Sequence, residues 1–226
     1  MPDFQGFGAK ALPFLKALKF HQSKAWFEEN RDLYERDLLD PMTALVDDLT
    51  AAFAANKIPL RAEGRRSIFR IHRDVRFAKD KSPYKTHCGA VMTRSGTKNE
   101  SGVLYIHIEP AGSFVAAGFH KPEPQQLAAI RKTIAASPGK FAALQARLAA
   151  GNLKLGTESA LSRLPRGFEA FKGSSADEVL RLKSFIVEES LPAKLLAQPA
   201  LAGAIIDFVE RAAPLLVFGW AAAGVG

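Results

Sequence analysis

The stretch VLYIHIEPAGSFVAAGFH, residues 103–120, decides the expected fold. Apolar and polar residues alternate over residues 103–109, which is the pattern of a strand with one buried and one more polar face. A second strand is predicted over residues 113–120, and the Glu-Pro-Ala-Gly sequence between the two has the composition of a hairpin turn. Two strands joined by so short a turn must pair in antiparallel orientation.

Outward from this hairpin, a further strand is predicted over residues 88–93 and another over residues 182–187. Apolar residues recur at helical spacing on both sides of the sheet. The predicted organisation is helical at 8–56, a basic segment and sheet at 61–120, helices at 124–149, irregular structure with a strand at 151–190, and C-terminal helices at 192–222. We therefore predict an α+β fold, with an antiparallel sheet packed by N-terminal and C-terminal helices, in a single layered domain over residues 1–226.

The composition is that of a folded protein. Of 226 residues, 47% are hydrophobic and 24% are charged, which is close to the average for globular domains. The single cysteine, Cys88, cannot form an internal disulfide, which favours a reducing compartment. The most apolar stretch, residues 212–226, is shorter than the roughly 20 residues that a membrane span needs. We expect a cytoplasmic protein with no membrane association, and the sequence leaves its oligomeric state open.

The positive charge is concentrated in one segment. The net charge is +8, and residues 61–85 contain nine basic and three acidic residues, a net of +6 that leaves +2 for all other positions. Such a segment is typical of sites that bind phosphate or carboxylate groups, because arginine offers paired donors in a planar fork.

Residues 70–90 read RIHRDVRFAKDKSPYKTHCGA. The stretch 70–77 is compatible with a helix, but its β-branched and aromatic residues favour a strand. Candidate ligand-binding residues are Arg70, Arg73, Arg76, Lys79, Lys81, Tyr84 and Lys85. In this hypothesis the three arginines bind the anion, Asp74 orients it or acts as a base, and the three lysines lie with Tyr84 on a closing loop.

Several motifs together resemble an uncharacterised bacterial and fungal family called domain of unknown function 2461. They are Phe4-Gln5-Gly6-Phe7, Lys24-Ala25-Trp26-Phe27, Asn30-Arg31, Arg70 to Thr86, Gly118, Pro122 and Leu164-Pro165-Arg166-Gly167-Phe168. The family pattern has tyrosine at the position of His72 and serine at that of Ala78, which argues against His72 as a required catalytic group. The resemblance covers nearly the whole chain and implies a single domain, but it brings no established activity.

Tyr105 and His107 are further candidate catalytic residues, since with Glu109 they share one face of the first hairpin strand. The five histidines show no spacing typical of a metal site, so no metal is predicted, and the sequence leaves any cofactor unknown. His87 and Cys88 are neighbours in a strand and point to opposite faces, which argues against a Cys–His pair. Glycine-rich phosphate-binding loops and the GxSxG esterase motif are absent.

Three functions fit these patterns. The first is binding of an anionic small molecule, bearing phosphate or carboxylate, in an arginine-rich cleft, with enzymatic activity left open. The second is binding of nucleic acid, which a basic segment and a sequence pI near 9.7 permit but which no motif supports. The third is a non-catalytic structural or interaction role, in which the arginines form internal ion pairs.

Overall fold

The structure is a computed structural model of the chain and describes residues 3–224. The helices are α1 (Ala11–Leu18), α2 (Lys24–Glu29), α3 (Arg31–Tyr34), α4 (Asp40–Ala55), α5 (Pro124–Ala136), α6 (Pro138–Ala150), α7 (Asp177–Leu180), α8 (Ala193–Leu196) and α9 (Ala200–Ala223). A π-helical turn, Glu35–Leu39, precedes α4, and short 3-10 turns lie at Gly64–Ser67 and Glu169–Phe171. The strands are β1 (Cys88–Met92), β2 (Val103–Ile108), β3 (Ser113–Phe119) and β4 (Phe185–Leu191).

The four strands form one antiparallel sheet in the order β1-β2-β3-β4, which confirms the predicted α+β class. The β2–β3 hairpin closes through a backbone hydrogen bond of 3.2 Å from Gly112 N to Glu109 O, at the turn expected from the sequence. Strand β4 overlaps the predicted segment 182–187, but it begins three residues later and ends four residues later. Strands that follow one another in the chain are neighbours in the sheet, although β3 and β4 are separated by α5, α6 and α7.

The described chain divides into two compact units. The first consists of the described part of Met1–Lys98 with Tyr105–Val115 and Ser190–Asp207. The second consists of Asn99–Leu104, Ala116–Glu189 and the described part of Phe208–Gly226. That the whole chain forms one domain stays a prediction.

The core of the first unit is built on α4. Its buried residues recur at spacings of three and four and are Met42, Leu45, Val46, Leu49 and Phe53. In the second unit, the buried apolar residues of α9 include Phe208, Val209, Ala212, Leu215 and Leu216. This periodicity is the helical pattern that the sequence displays at both ends of the chain. Among the described residues, no helix combines the length and continuous hydrophobicity required to span a bilayer.

The arginine segment departs from the strand predicted over residues 70–77. Its backbone makes isolated antiparallel bridges, Ile68 with Ala90 and His72 with Tyr84, but forms no regular strand. Beyond Arg73 this backbone pairing ends, and Phe77 is 95% exposed. The segment is therefore an extended arm along β1 followed by an open loop.

Candidate functional site

A cleft in the first unit lies along this extended arm. Its volume is about 540 Å³, and it is lined by Phe27, Arg31, Tyr34, Glu35, Leu39, Arg65, Ile68, Phe69, Arg70, Ile71, His72, Lys85 and Lys98. Five of these side chains are cationic and one is acidic. We call this site the cationic cleft. Its other lining residues are mainly aromatic and aliphatic, so charge and apolar surface meet in one place.

Backbone pairing fixes the position of the arm. Phe69 N donates to Gly89 O at 2.8 Å, and Lys85 N donates to Ile71 O at the same distance. Ile68 and Ile71 are buried, while Arg70 between them is exposed and lines the cleft. The backbone pairing and the two buried isoleucines hold the backbone of Arg70 at the cleft.

Two lysines flank the ring of Phe69. Lys98 Nζ donates to Ile68 O at 2.5 Å and lies 5.0 Å from the Phe69 ring centroid. Lys85 Nζ donates to Arg70 O at 2.8 Å and lies 5.6 Å from the same centroid. The carbonyls of the residues before and after Phe69 thus hold both ammonium groups near its ring. The face of an aromatic ring attracts such cations.

The cations of the cleft differ in their partners. Arg31 pairs with Glu28 at 2.7 Å, and Arg65 pairs with Asp40. Arg70, Lys85 and Lys98 form no ion pair with a carboxylate among residues 3–224. These three side chains are the source of the uncompensated positive charge of the cleft.

This arrangement disfavours the charged forms of Lys85 and Lys98 and lowers the pKa of each. Burial lowers the pKa of Lys85, and the neighbouring charges of Arg70 and Lys98 lower it further. Burial likewise lowers the pKa of Lys98. An anion bound beside them would favour their charged forms and reverse this effect.

Two of the predicted binding residues, Arg73 and Tyr84, line a second cleft instead. This cleft has a volume of about 460 Å³, and its lining is Lys19, Gln22, Arg73, Asp80, Ser82, Tyr84, Lys85, Thr86 and His87. Arg73 pairs with Asp80 there, so its charge is compensated. Hydrogen bonds from Ser82, then from Arg73, hold the pKa of Asp80 far below its ordinary value. Lys85 is common to both clefts.

The open loop holds the remaining candidates, which line neither cleft. Arg76 binds Asp74 through two hydrogen bonds, of 3.0 and 2.7 Å, and this contact lowers the pKa of the Asp74 carboxyl. Lys81 Nζ donates to Val75 O at 3.0 Å. Lys79 is exposed and makes no ion pair within the described chain. Asp74, proposed from the sequence as a base, is therefore engaged with Arg76 outside both clefts.

The other two catalytic candidates are joined in a hydrogen-bonded row on β2. Tyr105 Oη lies 3.0 Å from His107 Nδ1, and His107 Nε2 lies 3.0 Å from Glu109 Oε2. These three residues share a strand face, as the alternation of the sequence predicts. Thr86 Oγ1, from the second cleft, reaches Glu109 Oε1 at 3.4 Å.

Three residues that line the cationic cleft were not among the candidate binding residues predicted from the sequence: Arg65, Phe69 and Lys98. Lys98 lies outside the basic segment, and no spacing rule connects it to Phe69. Arg31 belongs to a family motif, but nothing in the sequence places it in this cleft. No group of three or more His, Cys, Asp and Glu side chains suited to a metal ion occurs between residues 3 and 224.

Comparison with known proteins gives one match. A family model described as "Conserved hypothetical protein (DUF2461)" matches residues 10–218. No curated protein and no solved structure matches the chain.

Proposed function

The chain belongs to the DUF2461 family of conserved hypothetical proteins, whose description names no activity, and from the geometry we propose that it binds a small amphipathic anion in the cationic cleft. The observation that carries this proposal is the convergence of Arg70, Lys85 and Lys98 on the cleft without a carboxylate partner in the described chain. Phosphate and carboxylate groups are the natural counterparts of such a cluster.

The apolar lining narrows the class of ligand. Phe27, Ile68, Phe69 and Ile71 border the same cleft as the cations. Phe27, Ile68 and Ile71 are almost fully buried already, whereas Phe69 is half-exposed. A bare inorganic anion would leave the exposed part of the Phe69 ring in contact with water, whereas an aryl or alkyl group attached to the anion would cover it. Each Å² of apolar surface removed from water contributes about 25 cal/mol. We expect phenyl phosphate to bind more tightly than inorganic phosphate.

The first prediction concerns the uncompensated cations. Arg70→Ala and Lys98→Ala should each weaken binding of phenyl phosphate about tenfold, because a hydrogen bond to a charged group contributes about 1.5–3 kcal/mol and Arg70 is exposed. Isothermal titration calorimetry at low salt measures the change. The matched control is Lys79→Ala, which removes the same charge from the open loop and should leave affinity within about twofold. Equal losses in all three variants would indicate a nonspecific charge effect and contradict a defined site.

The second prediction concerns pH. Because the pKa values of Lys85 and Lys98 lie below the ordinary 10.5, each lysine loses its proton, and with it its attraction for an anion, at a lower pH than a free lysine. Sulfate is the suitable probe, since it remains a dianion throughout. Its affinity, measured by calorimetry from pH 7 to pH 10, should fall within this range.

The control for this titration is the double variant Lys85→Arg/Lys98→Arg. Arginine stays charged over the whole range, so the variant should bind sulfate with an affinity that does not fall with alkaline pH. An identical fall in the variant would show that the two lysines are not responsible.

Nucleic acid remains the second candidate, and one observation favours it. Phe77 is almost fully exposed on a loop that also carries Arg76, Lys79 and Lys81, and an aromatic side chain among cations can stack on a base. Binding of a single-stranded oligonucleotide that weakens steeply with salt and depends on Phe77 would support this candidate. Binding of phenyl phosphate that depends on Arg70 but not on Phe77 supports the cleft.

A further inference from the structure

The row Tyr105–His107–Glu109 is a second organised polar site, distinct in its residues from the cationic cleft. His107 is buried, and its ring lies between those of His87 and Phe114, each 4.6 Å away between centroids. Both of its ring nitrogens have partners at 3.0 Å. A ligand therefore cannot reach a free nitrogen of His107 and can meet this row only at its ends.

The two ends differ in chemistry. Glu109 is a carboxylate, so the adjacent His107 Nε2 is the nitrogen that carries the proton and donates to it. His107 Nδ1 is then the acceptor, and the Tyr105 hydroxyl donates to it. The row is polarised in one direction, so that a proton leaving Tyr105 passes to His107 while Glu109 stabilises the resulting imidazolium.

The position of Tyr105 is specified by its surroundings. A Cβ added to Gly89 on the neighbouring strand would lie 2.6 Å from Tyr105 Oη, so the absence of a side chain at Gly89 makes room for the hydroxyl. The Tyr105 ring meets that of Phe69 edge-on at 6.1 Å between centroids, and Phe69 lines the cationic cleft. Tyr105 is only half-buried, which leaves it partly open to solvent.

We propose that Tyr105 is a nucleophile, with His107 as its general base and Glu109 as the residue that orients His107, acting on activated acyl donors that carry an anionic group. A hydroxyl within hydrogen-bond reach of a base that is oriented by a third group is the arrangement of activated nucleophiles. The requirement for an anionic group rests on the proposed function of the cationic cleft, since Phe69 is shared by the lysines and Tyr105. The nucleophile itself does not depend on it.

The reaction balances in two steps. Tyr105 Oη attacks the acyl carbon, its proton passes to His107 Nδ1, the bond from the acyl carbon to the leaving group breaks, and the leaving group takes that proton. Water then attacks the tyrosyl ester, His107 accepts a proton from the water, and the proton returns to Tyr105 Oη as the carboxylic acid departs. Because the intermediate is a phenyl ester, its formation requires an activated donor and its hydrolysis is correspondingly easy.

The base is needed because Tyr105 is a weak acid in this position. Burial, followed by the Cys88 and Glu109 charges, raises its pKa to about 12. The phenol is thus protonated at neutral pH, and His107 must accept the proton as the bond to the acyl carbon forms.

A covalent probe tests the proposal without a known substrate. The probe is 4-(fluorosulfonyl)benzoate, in which an electrophilic sulfur replaces the acyl carbon and fluoride is the leaving group. Mass spectrometry of the digested protein should find the adduct on Tyr105, with Tyr34 and Tyr84 as internal controls, since these are the other two tyrosines of the chain. We expect Tyr105 to be labelled at least tenfold faster than either of them.

Two variants separate nucleophilic activation from mere exposure. Glu109→Gln keeps the side-chain shape and an acceptor for His107 but removes the charge, and His107→Gln removes the base. Both should lower the labelling rate of Tyr105 at least tenfold, while the melting temperature of Glu109→Gln stays near that of wild type. Nitrogen NMR of His107 should show the proton on Nε2 in wild type. Equal labelling of Tyr105 in wild type and in folded Glu109→Gln would overturn the proposal.

The uncharged analogue benzenesulfonyl fluoride distinguishes this proposal from the function of the cleft. If both reagents label Tyr105 equally fast in a manner that depends on Glu109, the nucleophile stands and the anionic requirement is wrong. If phenyl phosphate binds in an Arg70-dependent manner but neither reagent labels Tyr105 above Tyr34 and Tyr84, the cleft stands and the nucleophile is overturned.

Discussion

Replacing Gly118 with alanine is expected to lower the free energy of unfolding by about 2–6 kcal/mol, because a strained backbone and an overpacked contact each cost about 1–3 kcal/mol. Gly118 lies in β3 with a φ of +134°, a conformation that residues with a side chain rarely adopt. An added Cβ would collide with the carbonyl oxygen of Phe185 on β4 and lie 3.0 Å from Ile186 Cα. Both obstacles are backbone atoms, so no rotamer change can relieve the contact.

Gly112→Ala is the matched control for this substitution. Gly112 lies in the β2–β3 turn, and a Cβ there would meet no atom within 4 Å. The same chemical change should alter the free energy of unfolding by no more than about 0.5 kcal/mol. Urea denaturation followed by circular dichroism measures both variants. A Gly118→Ala protein as stable as Gly112→Ala would mean that β3 and β4 are not paired as described.

The elements that could be predicted from the sequence are those with a local pattern. The β2–β3 hairpin combines period-two alternation with a short turn, and nothing distant is needed to specify it. The antiparallel sheet follows directly from that hairpin. The same alternation placed Tyr105, His107 and Glu109 on one face, although the hydrogen bonds between them emerged only from the side-chain geometry.

The arginine segment shows where local patterns fail. Its apolar alternation continues to Phe77, yet the backbone pairing ends after Arg73, and the charged residues of the loop pair with one another. Arg73 pairs with Asp80, and Arg76 pairs with Asp74, over separations of seven and two residues. Since these contacts form equally well in solvent, they do not hold Phe77 against a core.

Only some residues of the cationic cleft could be predicted, because the sequence shows local charge density but not distant contacts. Arg70 and Lys85 stand out as members of a basic segment, and both line the cleft. Lys98 reaches the cleft across 30 positions to Ile68 O, a separation at which sequence spacing carries no information. The same basic segment also supplied Arg76 and Lys79, which lie elsewhere, because charge density along the chain does not reveal which side chains converge.

Truncating Phe27 to alanine should cost about 3–5 kcal/mol of stability, the usual range for a buried aromatic residue. Phe27 is 1% exposed, and its ring stacks on Tyr84 at 4.6 Å and meets Tyr34 at 5.6 Å between centroids. The lost ring leaves a cavity beneath the cationic cleft, so both transfer free energy and packing are forfeited. Phe77→Ala makes the same change at an exposed side chain and should alter stability by less than about 0.5 kcal/mol.

The contribution of Phe27 to ligand binding can be measured separately from its contribution to stability. Phe27→Leu retains much of the buried volume and should cost less than about 1.5 kcal/mol, so that the protein remains folded for binding measurements. Because Phe27 lines the cationic cleft, this variant should weaken binding of phenyl phosphate more than binding of sulfate, as measured by calorimetry. If the affinities for phenyl phosphate and sulfate fall equally, the apolar group of the ligand binds elsewhere. A loss confined to phenyl phosphate would show that this group contacts the aromatic lining of the cleft.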